Sequence, residues 1–309
     1  MRYMLFLASL ILLASIIAPH YAGGDDVHRG LSSGSATVTH SAGLEPVARQ
    51  VMDLYPEMLS DIETALGIKM PPSNVLLNIL NKEQFQALSG GSPVMAFAIP
   101  SANSITLDYD ALGADILVLR ATLKHEIAHL AIHSATGNSM PKWLDEGISQ
   151  WASGGHSEIR QNNEIWPLSK AALTGRLIPL DTLASSFPRD EEGMRLAYKE
   201  SLSAVDLLIS SHGEMIISQL LRDAASGMSI NESFQSRTGV SLNEFALTWE
   251  TRLRSRASIM SFIKTYFYEV LFLMASVVLI AGYLRNHYRI RTYKDPEEDK
   301  DPQETEEEE

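Results

Sequence analysis

Two histidines and a glutamate stand in the spacing of a metal-dependent hydrolase, as His125-Glu126-Ile-Ala-His129. Residues four apart in a helix lie one above the other on one face, so both imidazoles can reach a single metal ion. The glutamate between them then points at a water bound to that metal. The spacing predicts the core of a zinc hydrolase site, with Glu126 as its general base.

A catalytic zinc ion needs three protein ligands and one open position for water. The chain contains no cysteine, so the third ligand must be a histidine, an aspartate or a glutamate. The segment Trp143–Gly147, with sequence WLDEG, offers two carboxylates at a workable distance, and Glu146 is the predicted ligand. Asp145 is the alternative ligand, or a hydrogen-bond partner of a zinc-bound histidine. The predicted cofactor is one catalytic Zn²⁺.

Apolar periodicity predicts the elements that position these residues. A helix starts at the N-cap Asp115 and stops near Gly137, and it carries the histidine motif on the side of its buried stripe. A helix over 44–66 and three or four short strands precede it, and the second half of the chain is helical in pattern. The strand candidates are Ser35–His40, Val75–Leu80, Met95–Ile99 and Ser104–Asp108.

Three segments together resemble the gluzincin metallopeptidases, in particular their peptidase MA-like members. They are HEIAH at 125–129, WLDEG at 143–147 and AYKES at 197–201, in a layout that extends from about residue 36 to 253. The resemblance implies that His125, His129 and Glu146 bind zinc, that Glu126 is the general base and that Tyr198 assists the transition state. It implies an α+β, zincin-like fold with a small mixed-sheet lobe, an active-site helix and a helical C-terminal lobe.

The chemistry expected of such a site is peptide hydrolysis. Zinc lowers the pKa of its bound water toward about 7 and polarises the scissile carbonyl. Glu126 takes the proton of the water and delivers it to the leaving amine. In related zincins the substrate lies as an extra strand along a sheet edge, for which Met95–Ile99 is the candidate here.

Both ends of the chain carry apolar segments. The run Tyr3–Ala18 behind Arg2 predicts a secretory signal peptide, or an uncleaved N-terminal anchor. Residues 265–284 are long enough to span a membrane, and the cations that follow predict a cytoplasmic C-terminus by the positive-inside rule. The last fifteen residues, 295–309, hold ten acidic residues and one lysine, so they account for most of the net charge of −13. The nearly neutral remainder argues against nucleic acid as a partner.

The sequence therefore predicts a membrane-anchored, extracytoplasmic zinc metallopeptidase whose substrates are peptides or proteins near the bilayer. The expected organisation is a leader or anchor (1–24), a linker (25–41), a metallopeptidase domain (42–256), a transmembrane helix (262–284) and a basic, then acidic, disordered cytoplasmic tail (285–309). One alternative is a non-catalytic module of the same fold that binds or senses a ligand at the membrane surface. Another is a zinc hydrolase that acts on cell-wall or other small amides.

Overall fold

The computed structural model describes residues 29–71, 73–113, 115–155 and 166–292 of the chain. The described residues divide into two compact units, with the boundary between Arg252 and Leu253. The first unit is an α+β domain with a small mixed sheet followed by a mostly helical lobe. The predicted signal peptide, the adjoining part of the linker and the acidic tail beyond residue 292 lie outside the described residues.

The described strands form one five-stranded sheet in the order β1-β2-β3-β5-β4. Central strands β2, β3 and β5 are parallel to one another, whereas β1 and β4 pair antiparallel at the two edges. Every residue of β5 is buried, as a central strand requires. The strands are β1 (Arg29–Ser33), β2 (Ala36–His40), β3 (Val75–Leu80), β4 (Ala96–Ile99) and β5 (Ser104–Asp108).

These bounds confirm the four predicted strands and correct the predicted linker 25–41, since residues 29–40 form a hairpin of the sheet. The register pairs Arg29 with His40 and Ser33 with Ala36, around Gly34 at φ 56°. Strand β2 alternates buried and half-buried residues, and Val38 is fully buried. The glycine and serines of β1 carry little strand propensity, so its pairing with β2 is what makes it a strand.

The described helices before the C-terminal one are short to medium in length and surround the sheet and each other. They are α1 (Glu45–Leu66), α2 (Lys82–Ser89), α3 (Tyr109–Leu112), α4 (Ile116–Thr136), α5 (Lys142–Ala152), α6 (Trp166–Thr174), α7 (Leu180–Leu183), α8 (Glu191–His212), α9 (Met215–Ala225) and α10 (Ile230–Thr238). The predicted ends of α4 are confirmed. The Asp115 carboxylate accepts a hydrogen bond from the Leu117 N–H at 2.9 Å, and Gly137 ends the helix at φ 58°.

Helix α4 lies at the centre of the first unit, packed against α1, α5, α9 and β4. It is buried on nearly all sides, because Leu123, Ile127 and Ala128 are fully buried together with the histidine motif. Helix α5 packs against both α4 and α8. These contacts hold the motif helix rigidly between the sheet and the helical lobe.

The C-terminal helix α11 (Leu242–Thr292) enters the second unit. Its segment Tyr266–Ile290 is long and apolar enough to cross a membrane by length and composition, with a mean hydropathy of 2.0. The helix continues through Arg285 and Arg289. The prediction of a disordered tail from residue 285 is therefore wrong for 285–292, because both the apolar segment and the helix extend beyond residue 284.

Candidate metal centre

Helix α4 brings the two motif histidines together. The Nε2 atoms of His125 and His129 lie 3.1 Å apart, and the two rings meet edge to face with centroids 4.7 Å apart. Both side chains are buried, with 0% and 8% of the residue exposed. Two imidazole nitrogens thus converge on one small buried space, as the i, i+4 spacing predicts.

Helix α5 adds the third group. The Oε2 atom of Glu146 lies 3.6 Å from His125 Nε2 and 3.4 Å from His129 Nε2, and the potential ligand atoms of the three residues all lie within 4.8 Å of one another. A tetrahedral zinc ion with bonds of about 2.0–2.1 Å keeps its ligand atoms about 3.3–3.4 Å apart. The observed triangle therefore fits the zinc ion that this donor set implies.

The charges of the site also suit a cation. Burial alone would raise the pKa of Glu146, but the His129 charge and hydrogen bonds with both histidines outweigh it and hold that pKa well below its usual range. Burial would lower the pKa of His129, but the Asp145 and Glu146 carboxylates outweigh it and raise that pKa well above 6.5. The negative charges that favour a proton on His129 favour a metal cation equally.

Asp145 lies against the other nitrogen of the His129 ring. Its Oδ1 atom is 3.0 Å from His129 Nδ1, on the side of the ring away from the nitrogen that faces Glu146. The Ser149 hydroxyl lies 3.2 Å from the same Nδ1 atom. Of the two roles open to Asp145, the geometry favours the hydrogen-bond partner, because a carboxylate here fixes the ring with Nε2 directed into the cluster. Ser149 was not predicted, although it follows Asp145 by one helical turn.

Tyr198 reaches the cluster from helix α8. Its buried hydroxyl donates to Glu146 Oε1 at 3.5 Å, and its ring meets the Phe187 ring edge to face at 5.4 Å between centroids. Gly147 allows this approach of α5 and α8, since a Cβ there would lie 2.4 Å from the Ser201 carbonyl oxygen and 2.6 Å from Val205 Cγ2. Gly147 is thus a point of close contact between these two helices.

A groove of about 640 Å³ opens over the cluster. His129, Glu146 and Tyr198 line it, whereas His125 and Glu126 are fully buried and do not. His133 is half-buried on the groove wall. The remaining walls come from β4 and its flanks, the end of α4, and the segment leading into α8.

Strand β4 presents a free edge to this groove, as predicted for Met95–Ile99. The Asp108 N–H donates to the Met95 carbonyl at 2.8 Å, and Ala98 pairs with Ile105 across the ladder. Hydrogen-bonded and non-hydrogen-bonded pairs alternate in an antiparallel ladder, so Phe97 bonds to β5 while the N–H and C=O of Ala98 face away from it. Ala98 lines the groove, which leaves its peptide groups available to an extended ligand.

Glu200 is a second buried carboxyl, two residues after Tyr198. It is fully buried, and its Oε1 atom accepts a hydrogen bond from the Ile178 N–H at 3.0 Å. Its Oε2 atom has no hydrogen-bond partner among the described residues. Burial raises the pKa of Glu200 to about 8, with a further increase from Glu250 and a partial decrease from the Ile178 N–H. The local sequence around Glu200 does not indicate that this glutamate is buried.

The peptidase MA superfamily model matches residues 87–255, which contain the whole cluster. YhcO of Bacillus subtilis (strain 168) is 23% identical in a match over 198 residues that covers 58% of this chain. The chain spans little more than half of that relative, 57% of its length.

Two solved structures are also similar. Native LTA4 hydrolase from yeast has a TM-score of 0.42 and 11% identity, over 74% of this chain and 38% of that one. An M1 zinc metallopeptidase from Deinococcus radiodurans has a TM-score of 0.36 and 19% identity, over 78% of this chain and 50% of that one. The family match covers more than half of the chain, which therefore belongs to the peptidase MA superfamily.

Proposed function

We propose that this protein is a membrane-anchored, extracytoplasmic zinc metallopeptidase that hydrolyses peptide bonds. The observation that carries the proposal is the convergence of His125, His129 and Glu146 on one buried point beneath an open groove. The family supports the reaction class, and the donor set supports zinc, because two imidazoles and a carboxylate are a common catalytic zinc set.

Each residue near the cluster has a distinct task in this proposal. When bound, zinc supplies a Lewis acid that lowers the pKa of a water toward about 7 and polarises the scissile carbonyl. Glu126 takes a proton from the attacking water and returns it to the leaving nitrogen. Asp145 fixes the His129 ring through Nδ1. The Tyr198 hydroxyl donates to the carbonyl oxygen as charge develops there, which is worth about 2.7–4 kcal/mol.

The substrate in this proposal is an extended peptide that lies in the groove beside β4. The outward N–H and C=O of Ala98 supply backbone hydrogen bonds that do not depend on sequence. Side chains of the substrate then meet an apolar wall that includes Phe97, Ile132 and Met194. Main-chain pairing thus holds the scissile bond over the cluster, and the wall favours apolar side chains.

The deciding experiment compares peptide hydrolysis by the zinc-loaded, detergent-solubilised full-length chain with that of the Glu126→Gln variant. The variant keeps the size of the side chain and removes the base, so we expect kcat to fall by about 10²- to 10⁴-fold with zinc content unchanged. Equal turnover by both proteins would exclude Glu126 as the base. Zinc in both proteins with no hydrolysis in either would favour the binding or sensing module, and turnover of cell-wall fragments alone would favour the amide hydrolase.

Membrane anchorage is part of the proposal and rests on the apolar segment Tyr266–Ile290. Since the chain has no cysteine, a single cysteine can report on each side of the membrane. We expect a membrane-impermeant maleimide to label Ser60→Cys on intact cells, because Ser60 is exposed on the domain. Thr305→Cys, in the acidic tail, should react only after permeabilisation. The opposite pattern would place the domain in the cytoplasm.

A further inference from the structure

Lys142 lines the groove that opens over the cluster of His125, His129 and Glu146. Lys142 is the first residue of α5, and its backbone N–H donates to the Ala184 carbonyl at 2.9 Å. Its exposed ammonium lies over the Phe187 ring, with Nζ 4.9 Å from the ring centroid. Both residues line the groove. The segment before α8 therefore places an aromatic platform under a positive charge, next to the Tyr198 ring.

Among the described residues that line the groove, Lys142 is the sole lysine or arginine. The acidic residues of that lining are Asp145 and Glu146, and both face the His129 ring, at 3.0 and 3.4 Å. Within the described part of the chain, the Lys142 ammonium makes no ion pair with a carboxylate. It contacts the Phe187 ring. The groove thus offers one cation whose charge no neighbouring carboxylate neutralises.

We propose that Lys142 and Phe187 form a substrate subsite that binds a carboxylate group of the peptide; this rests on the proposed peptidase function. An ammonium has three N–H donors, so it can face the ring and still donate to a ligand. The ring limits the rotamers of the lysine, which lowers the entropy lost on binding. The groove wall also screens the attraction between the Lys142 ammonium and the substrate carboxylate less than open solvent does.

The carboxylate has two possible sources, and they distinguish two kinds of peptidase. A side-chain carboxylate of Asp or Glu near the scissile bond fits cleavage inside a chain. A C-terminal carboxylate fits release of a short C-terminal fragment. The chemistry at the Lys142 ammonium is the same in both cases, so the experiment varies the two groups separately.

The experiment uses quenched fluorescent peptides in matched pairs, cleaved by the full-length protein. One series replaces Glu by Gln at each of three positions on either side of the scissile bond, and the other replaces a free C-terminal carboxylate by an amide. We expect kcat/KM to favour the carboxylate by about 5- to 30-fold at one position, mainly through KM, and this preference to fall as salt rises.

Two variants isolate the charge of Lys142. Lys142→Met keeps an unbranched side chain over Phe187 and loses only the ion pair with the substrate. The ratio of kcat/KM between the Glu and Gln peptides, or between the acid and amide peptides, should therefore fall below about twofold. Lys142→Arg keeps the charge and should retain the preference. Because each ratio is measured within one variant, a general loss of activity cancels. A preference that survives in Lys142→Met, or no preference in the wild type, would overturn the subsite.

Binding to the zinc-loaded Glu126→Gln variant separates this proposal from the peptidase function. Fluorescence anisotropy should show the same carboxylate preference for the labelled peptide pairs, and adding Lys142→Met should abolish it. Carboxylate-selective binding without hydrolysis in the wild type would retain the subsite and overturn the peptidase. Hydrolysis without that selectivity would overturn the subsite and retain the peptidase. Binding without that selectivity and without hydrolysis would overturn both.

Discussion

Replacing Gly147 by alanine tests whether close packing of α5 on α8 positions the site. The added Cβ would lie 2.4 Å from the Ser201 carbonyl oxygen and 2.6 Å from Val205 Cγ2, where ordinary contact begins at 3.4 Å. Relief of the backbone contact requires a shift of about 1 Å, because a main-chain carbonyl cannot rotate away as a side chain can. This shift would separate Glu146, on α5, from Tyr198, on α8.

The magnitude follows from two opposing effects. Overpacking in a core typically costs about 1–3 kcal/mol, and alanine in a helix gains about 0.8–1.0 kcal/mol over glycine. The net loss should be about 0–2 kcal/mol, which lowers the midpoint of thermal unfolding by up to roughly 8 °C in a domain of this size. A displacement of about 1 Å at a reacting group can reduce kcat/KM by about 10²-fold.

The assay is the thermal unfolding of full-length wild type and Gly147→Ala in detergent, followed by tryptophan emission, together with kcat/KM on one peptide. Trp143, on the same helix, is 3% exposed and reports on the packing of α5. Gly282→Ala is the matched control, because a Cβ at that helical glycine meets nothing within 4 Å. A Gly147→Ala protein with unchanged or higher stability and full activity would refute the packing argument.

Three further predictions concern single residues. Ala98→Pro removes an edge N–H without breaking a hydrogen bond between β4 and β5, so kcat/KM should fall about tenfold with little change in stability. Phe97→Pro removes an N–H that bonds to β5 and should destabilise the sheet. If the two variants lose activity and stability to the same extent, substrate binding at the edge is contradicted. Asp145→Ala should weaken zinc binding about 10- to 100-fold in a chelator competition, because His129 loses its partner, and unchanged affinity would exclude that role. Glu200→Gln should become more stable than wild type by an amount that grows as pH rises from about 4.5 to about 8. Burial raises the pKa of Glu200 from 4.5 to about 8. Between these two pH values the unfolded chain has already released the proton of this carboxyl, whereas the folded chain still holds it. The free energy of unfolding of the wild type therefore falls as pH rises from about 4.5 to about 8. The free energy of unfolding of the variant minus that of wild type, measured with denaturant, should be about 3–5 kcal/mol larger at pH 9 than at pH 5. The same value at both pH values would refute the raised pKa.

Much of the site could be predicted because helix geometry fixes it locally. The spacing of His125 and His129 determines which face they share, and Asp115 and Gly137 mark the ends of their helix. The choice of Glu146 over Asp145 as the third ligand depended on resemblance as well as distance. In the structure Glu146 lies beside the Nε2 atoms of both histidines, whereas Asp145 lies against the other nitrogen of His129.

Other features depend on contacts between segments far apart in the chain. Phe187 reaches Tyr198 only because the segment before α8 is tied to α5, through the Lys142 N–H and the Ala184 carbonyl. Strand β1 was assigned to a linker because its own sequence, RGLSS, has no strand signal before it pairs with β2. The burial of Glu200 likewise results from packing, and a glutamate in an amphipathic helix gives no local sign of it.

The most direct test of the central claim is the zinc content of the purified full-length protein, measured by mass spectrometry under metal-replete, chelator-free conditions. We expect about one zinc ion per chain in the wild type and in Glu126→Gln, since Glu126 is not among the three converging ligands. His129→Ala and Glu146→Ala should lose most of the metal while keeping the buried tryptophan emission of the folded domain. A wild type without stoichiometric zinc, or equal zinc in all four proteins, would contradict the account.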